Sequence, residues 1–271
     1  MYKIAIPSYK REKTITNKTL NILIKHHINP KDVYIFLADE NQKQNYLPYL
    51  PKEFHDRIIL NHCYGIKDVR NFMNDYFDEG EKILFMDDDL KDVLYLKNNK
   101  LESIENLDLF IKLAFDLCYE KNCNIFSVYP VENAYFMDNS IKRGLIYMMG
   151  GFMGVFNRKN LKVSVCDKED FERSILYFLD SPYGCLRFNN VCCKTKGYTG
   201  IGGMNSFDRS YDTILKACDI LLKKYPKYCS LNLKKKSNKP EIKLKNIIYE
   251  LVNLEYSLDF LQTYNYHFSF S

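Results

Sequence analysis

KILFMDDDL, Lys82 to Leu90, sets an apolar run directly against three consecutive aspartates. The apolar part reads as a buried strand. Carboxylates side by side at its end repel one another, and a ready physical use for them is to share a divalent cation that cancels the repulsion. Oxygen ligands favour Mg²⁺ or Mn²⁺, and such sites leave positions open for substrate phosphates. The plainer reading is a solvated acidic turn, or a helix N-cap before Leu90, where Asp is also favoured.

What flanks the stretch decides the fold class. Short apolar, β-branched runs recur at Lys3 to Ile6, Val33 to Ala38, Ile58 to Leu60, Ile83 to Met86 and Ile125 to Tyr129, with helical patterns between them. Leu20, Leu23, Ile24 and Ile28 form one helical face, and Ile66, Val69, Met73 and Tyr76 another. Ile104, Leu107, Ile111, Ala114 and Cys118 lie three and four apart, on one stripe. Alternating strand and helix through residue 130 predicts an α/β protein with a mostly parallel sheet and helices on both faces. Ligands bind such sheets beyond the carboxyl ends of the strands, where Asp87, Asp88 and Asp89 fall. Beyond residue 140, Ile146 to Met149 and Phe152 to Phe156 read as strands joined by Gly150 and Gly151. A helix is predicted over Asp170 to Leu179 and another from about Asp208 to Tyr225, with Tyr211, Leu215, Cys218, Leu222 and Tyr225 on one side.

The 271 residues, 46% hydrophobic, suffice for one large domain with a core of its own. Net charge is only +5, yet Lys223 to Lys245 holds nine lysines against the single acid Glu241. Nine cysteines form no C-x-x-C, and MYKIAIPSYKR lacks a signal peptide's apolar core, so a reducing, intracellular location is expected. Cys192 and Cys193 have no histidine near them in sequence and read as buried thiols before metal ligands. No apolar run reaches the length of a membrane span, which predicts a soluble protein.

Four other stretches carry polar chemistry. IAIPSYKR brings Ser8, Tyr9, Lys10 and Arg11 to the end of the first strand, an aromatic face with cations, or ordinary turn residues. GIKDVRN places Lys67, Arg70 and Asn71 in the first turns of a helix, suited to an anion, or leaves Arg70 solvated beside an acid such as Asp75. CDKEDFERS puts Glu169 and Asp170 at a helix start, where acids complement the dipole, or where one carboxylate serves as a general base. GYTGIGGMNSFDR, residues 197–209, is a glycine-rich loop entering a helix, either plainly flexible or a lid over a diphosphate.

In order, IAIPSYKR, VYIFLADE, GIKDVRN, ILFMDDDL, KEDFERS and GYTGIGG resemble a nucleotide-sugar-dependent glycosyltransferase of the GT-A fold, over about residues 1 to 210. More narrowly they are similar to the TET-associated glycosyltransferase domains encoded by phages, large viruses and some microbes. The resemblance implies a Rossmann-like GT-A sheet with a smaller acceptor-side subregion. It implies Mn²⁺ or Mg²⁺ held by Asp87 and Asp89 against the diphosphate of a UDP-sugar, with Asp88 reaching the ribose or a metal-bound water. Pro7, Ser8, Tyr9, Arg11 and Asp39 would line the uridine pocket, with Arg70 and Asn71 on the nucleotide. Asp170 matches the acceptor-side base of inverting enzymes, and Glu169 is its alternative. Arg209 and Lys196, flanking the glycine loop, are candidates for a second cationic clamp.

The chemistry these residues offer agrees with that family. Negative charge on a departing diphosphate is stabilised by a metal and by Lys or Arg. An acceptor hydroxyl attacking from the opposite face needs one carboxylate to take its proton, and no enzyme nucleophile, so inversion is the expected outcome.

The family further implies an acceptor hydroxyl on hydroxymethylated pyrimidine in DNA, with the lysine run tracking phosphates or serving only as a solvated linker. Other readings are a GT-A enzyme acting on a glycan, lipid carrier or protein, and a silent sugar-nucleotide or DNA-binding module. A nucleotidyltransferase would favour a glycine and lysine signature where this chain has PSYKR. The expected organisation is a GT-A domain over 1–225, divided into a nucleotide-sugar half (1–130) and an acceptor half (131–225). A basic linker and a docked C-terminal helix are expected over 226–271.

Overall fold

A computed structural model describes residues 1–181, 183–195, 202–232, 239–245 and 247–253. The expected apolar runs form β1 (Lys3–Pro7), β2 (Val33–Leu37), β3 (Ile58–Leu60) and β4 (Lys82–Met86), which pair in parallel in the order β4-β1-β2-β3. Then come β5 (Leu90–Lys97), β6 (Lys100–Ser103), β7 (Ile125–Tyr129), β8 (Ser140–Leu145), β9 (Phe152–Phe156) and β10 (Cys185–Thr195). A small hairpin of β11 (Cys229–Leu231) and β12 (Ile242–Leu244) precedes β13 (Ile247–Asn253). Beyond β4 the large sheet continues β9-β7-β10-β8-β13, and the β5–β6 hairpin pairs with the far end of β10. Strands β5, β8 and β9 run against the common direction of the others in this sheet.

Strands β1, β2 and β4 are buried on both faces because they are apolar at successive positions. Ile4 and Ile6 of β1, with Leu84 and Met86 of β4, point into one core with Leu20, Leu23 and the helix α5 (Leu107–Glu120). Ala5, Ile83 and Phe85 point into the other, against α4 (Ile66–Tyr76), α6 (Glu169–Asp180) and α7 (Tyr211–Lys224). Each such Ile, Leu, Met or Phe side chain contributes about 1.5–3 kcal/mol by leaving water. The first helical segment is α1 (Glu12–Ile15), a wider π-type turn over Thr16–Leu20, and α2 (Asn21–Lys25). The short α3 (Glu40–Tyr46) is capped by Asp39, whose side chain accepts from the Gln42 amide at 2.8 Å.

Several expectations need correction. Ile146 to Met149 is irregular, and the strand lies just before it at β8. Ser127 and Ser174 hydroxyls bond the amides of Met149 and Met148 in place of a neighbouring strand. The buried face of α7 is Ile214, Ala217, Cys218, Leu221 and Tyr225, while Tyr211 is exposed. Ile24 is likewise exposed on the first helical segment.

At the C-terminal end, Ile247–Asn253 is strand where a helix was expected, because its backbone completes the otherwise open edge of β8. Gly144 on β8 permits the close approach: a Cβ there would fall 1.8 Å from the Ile247 carbonyl oxygen. The remainder of the expected terminal helix lies outside the described residues. Cys192 and Cys193 point into different cores from successive positions of β10, so they cannot present two thiolates to one ion. Among the described residues no helix is long and apolar enough to cross a membrane.

Candidate active site

The three aspartates form the turn between β4 and β5, at the carboxyl end of the central parallel strands. Leu90 begins a strand, which removes the helix-cap reading. The turn is pinned from below: Thr19, in the π-type turn, donates to the Asp87 carbonyl at 2.7 Å and accepts from the Leu90 amide at 3.1 Å. From the side, the Asp87 amide donates to the Gly151 carbonyl at 3.0 Å. A Cβ on Gly151 would meet Asp87 Oδ2 at 2.9 Å, so glycine lets this carboxylate lie against the backbone.

The three side chains diverge. Asp88 is buried, accepts from Ser8 Oγ at 2.5 Å and pairs with Arg11 Nη1 at 2.9 Å. Burial pushes its carboxyl up to about 6 against the pull of Arg11 and Ser8. Asp89, 3.4 Å from Arg11, is held above the usual carboxylate range by burial and then by the charge of Asp87. Asp87 and Asp89 both line a cavity of about 450 Å³. Asp88 lines it as well, but its oxygens are engaged by Ser8 and Arg11.

The start of α6 lines the same cavity. Asp170 is half-buried and accepts a short hydrogen bond from the Tyr147 hydroxyl and one from the Phe171 amide at 3.0 Å. Burial first, and then Glu169, push its carboxyl up to about 6. Glu169 is buried between Arg70 Nε at 3.6 Å and Arg173 Nε at 3.8 Å. Arg70 therefore is not the solvated helix arginine: it is 2% exposed, and its Nη2 donates to Asp87 Oδ1 and to the Gly150 carbonyl, each at 3.0 Å. Asp75, the acid considered for it, pairs with Lys162 at 2.5 Å instead.

The third wall is the end of β1. Pro7, Ser8, Tyr9 and Arg11 all line the cavity, as do Phe36, Ala38, Asn61, Cys63 and Val69. The Tyr9 ring lies tilted against Phe207, 5.6 Å between ring centres, and meets Tyr64 edge-on at 6.2 Å. The glycine loop closes on this strand end, with the Gly203 amide donating to the Tyr9 carbonyl at 2.8 Å. Gly202 and Gly203 have φ of +88° and +57°, and a Cβ on either would overlap the Lys10–Arg11 segment.

Arg209 reaches the cavity rim and pairs with buried Asp167 at 2.8 Å. Lys196 lies outside the described residues. Two expected residues stand apart from the cavity lining. Asn71 spends its amide on the Val163 backbone, at 2.9 and 3.0 Å, and Asp39 caps α3 while accepting from Tyr64 at 2.9 Å.

Sequence reasoning passed over Tyr147, Thr19, Asn61 and Arg173. Arg173 carried a usable signal, because it follows Glu169 by one helical turn. Tyr147 and Thr19 carried none, since each is brought in by tertiary contact alone. Among the described residues no three acidic, His or Cys side chains converge into a complete metal cage. The donor set instead offers two repelling carboxylates, Asp87 and Asp89, facing open space, which fits a hard cation completed by ligand oxygens.

No protein-family model matches the chain, and no curated protein matches it by sequence. Among solved structures it resembles S. aureus TarS 1-349 in complex with UDP-GlcNAc, with TM-score 0.55 and 14% identity over 82% of this chain and 66% of that one. It covers 39% of the longer S. aureus TarS chain. Mannosyltransferase PcManGT from Pyrobaculum calidifontis, in complex with GDP-Man and Mn²⁺, aligns with TM-score 0.49 and 12% identity over 73% of this chain and 58% of that one. The likeness to TarS establishes the fold of this chain as GT-A.

Proposed function

We propose that this chain is a metal-dependent, inverting glycosyltransferase that moves a sugar from a UDP-sugar to the hydroxyl of a hydroxymethylated pyrimidine in DNA. One observation carries the reading. One cavity is lined by Asp87, Asp89 and Asp170, with buried Arg70 in contact with Asp87 and near Glu169. A donor diphosphate belongs at the aspartate turn and an acceptor hydroxyl at the start of α6.

The residues divide the work accordingly. Asp87 and Asp89 would hold Mn²⁺ or Mg²⁺, which supplies positive charge for the departing diphosphate. Pro7, Ser8, Tyr9 and Arg11 would receive the nucleoside, and Arg11 and Arg70 would add fixed positive charge where negative charge develops. Asp170 accepts the acceptor's proton as the hydroxyl oxygen bonds to the anomeric carbon and the bond to the diphosphate breaks. Its raised basicity suits it to the task, and its Tyr147 hydrogen bond aims it.

TarS binds UDP-GlcNAc on the same fold, which supports a nucleotide-sugar donor. We assign residues 1–130 to the donor half and 131–225 to the acceptor half of the domain. The DNA acceptor is supported by the ordered motifs and by exposed Tyr135 and Phe136. Their rings lie 5.1 Å apart on the segment after Pro130, which itself lines the cavity, and offer faces on which bases stack. Of the basic stretch, Lys224 pairs with Glu172 at 2.8 Å and Lys245 donates to the Pro226 carbonyl at 2.8 Å, while Lys234, Lys235 and Lys236 lie outside the described residues.

The test is UDP release from UDP-glucose, UDP-galactose and UDP-N-acetylglucosamine with Mn²⁺. Stimulation by hydroxymethylated DNA, with none by unmodified DNA or simple glycans, is the expected result. Stimulation by a glycan alone would replace the acceptor and keep the transferase.

A further inference from the structure

We propose that Arg187 and Lys142 form a subsite, adjoining the cavity, for a backbone phosphate of the acceptor DNA; this rests on the reading of DNA as the acceptor.

Strand register brings the two cations together. Arg187 on β10 lies opposite Lys142 on β8 and beside Ser127 on β7, so the three side chains leave the same face of the sheet. Like charges directly opposite in a sheet are destabilising, and an anion between them offsets the cost. Asp138 is the acid at hand, and it is already shared. It accepts a short hydrogen bond from Ser140 Oγ, one from Asn189 Nδ2 at 3.1 Å and one from Lys142 Nζ at 3.4 Å. Arg187 is left with a neutral partner: its Nε donates to Asn189 Oδ1 at 2.9 Å, its guanidinium lies 5.3 Å from the centre of the Tyr129 ring, and among the described residues no carboxylate pairs with it. Burial pulls this guanidinium below the ordinary arginine value, a cost that a bound anion relieves. Its planar fork of donors matches a phosphate.

The location suits an acceptor. Tyr129 precedes Pro130, which lines the cavity, and the Ser127 hydroxyl accepts at 3.1 Å from the amide of Met149, another lining residue. Tyr129 and Ala134 both pack on the small apolar cluster to which Met137 belongs, and Ala134 and Met137 flank the exposed pair Tyr135 and Phe136. Cations for phosphate and rings for bases thus stand on neighbouring segments, the combination that holds single-stranded nucleic acid.

The experiment is fluorescence anisotropy of a labelled single-stranded oligonucleotide with one hydroxymethylcytosine, titrated with the full chain at several salt concentrations. A second oligonucleotide carries neutral methylphosphonates in place of the phosphates flanking the modified base. Arg187→Gln is expected to weaken binding of the first by about tenfold and to flatten the slope of log affinity against log salt by about 0.7, the loss of one phosphate contact. On the methylphosphonate oligonucleotide, variant and native chain should agree within about twofold. Arg187→Lys should restore the slope, which charge sets and shape does not. Lys142→Gln should flatten it less, because Lys142 already divides its charge with Asp138, and this second variant decides the matter if circular dichroism shows Arg187→Gln unfolded. A purely structural role for Arg187 would weaken both oligonucleotides alike and leave the slope in place, and that result overturns the proposal. A native chain that binds neither oligonucleotide removes DNA as the acceptor and this subsite with it. Binding of the first by the native chain, with unchanged slopes in the folded variants, removes only the role given to Arg187 and Lys142.

Discussion

Arg70 on α4 and Asp87 at the end of β4 meet at 3.0 Å, and the same guanidinium lies 3.6 Å from Glu169 on α6. One buried cation therefore joins the aspartate turn assigned to the donor to the start of α6 assigned to the acceptor. Arg70→Met leaves Glu169 buried beside Arg173 alone and Asp87 without its partner. The expected cost is about 2–4 kcal/mol in urea unfolding, toward the low end because Asp87 is reached by water. Arg70→Lys should restore part of the stability but little turnover, because an ammonium cannot reproduce the guanidinium's paired donors to Asp87 and the Gly150 carbonyl.

Asp88 differs from its two neighbours. Its oxygens are bound by Ser8 and Arg11, so Asp88→Asn should act through structure and through the placement of Arg11. We expect a loss of about 1–3 kcal/mol in stability and a weaker donor KM, with metal dependence retained. Asp89→Asn should do the reverse: near-normal unfolding and lost metal dependence. Thermal unfolding measured beside Mn²⁺ titrations of activity distinguishes them.

Asp170→Asn should lower turnover by about 10²–10⁴-fold while leaving UDP binding unchanged, as measured by calorimetry beside single-turnover assays. Wild-type kcat should rise with pH through about 6, where Asp170 loses its proton. Stability has the opposite sign. A carboxyl that holds its proton more tightly when folded costs stability as pH rises from its unfolded value of 3.8 through about 6. Asp170→Asn should therefore melt higher than wild type at pH 8, with the difference gone below about pH 4.

Gly203→Ala tests the glycine loop. Its Cβ would fall 2.6 Å from the Arg11 guanidinium carbon, at a backbone φ that L-residues rarely adopt. Displaced Arg11 loses Asp88 and Asp89 together, so UDP affinity should fall by about tenfold or more, equivalent to about 1.4 kcal/mol, in a titration with Mn²⁺.

The parallel half of the sheet was legible because each strand is an apolar run followed by a polar break, and those breaks are the cavity walls. Asp87, Asp89, Arg70 and Asp170 were legible for the same reason, as polar residues at strand ends and helix starts. Strands β5, β8 and β13 were not: their pairing is antiparallel or at the sheet edge, and their sequences mix charge with apolar residues. Asn71 and Asp39 illustrate the limit at the site. Asp39 caps its own helix, whereas Asn71, midway along α4, bonds the backbone of distant Val163; a polar side chain can serve the backbone as readily as a ligand, and only the fold shows which.

On the proposed function, Asp87 and Asp89 grip a divalent cation against a nucleotide's diphosphate. Calorimetric titration of UDP into the full chain, with Mn²⁺ and then with chelator, tests it directly, with Asp89→Ala run in parallel. UDP should bind at least about tenfold more tightly with Mn²⁺ in the native chain, and Asp89→Ala should lose that gain. Equal UDP affinity in Mn²⁺ and in chelator, unaltered by Asp89→Ala, would mean that the aspartate turn holds no metal for the nucleotide.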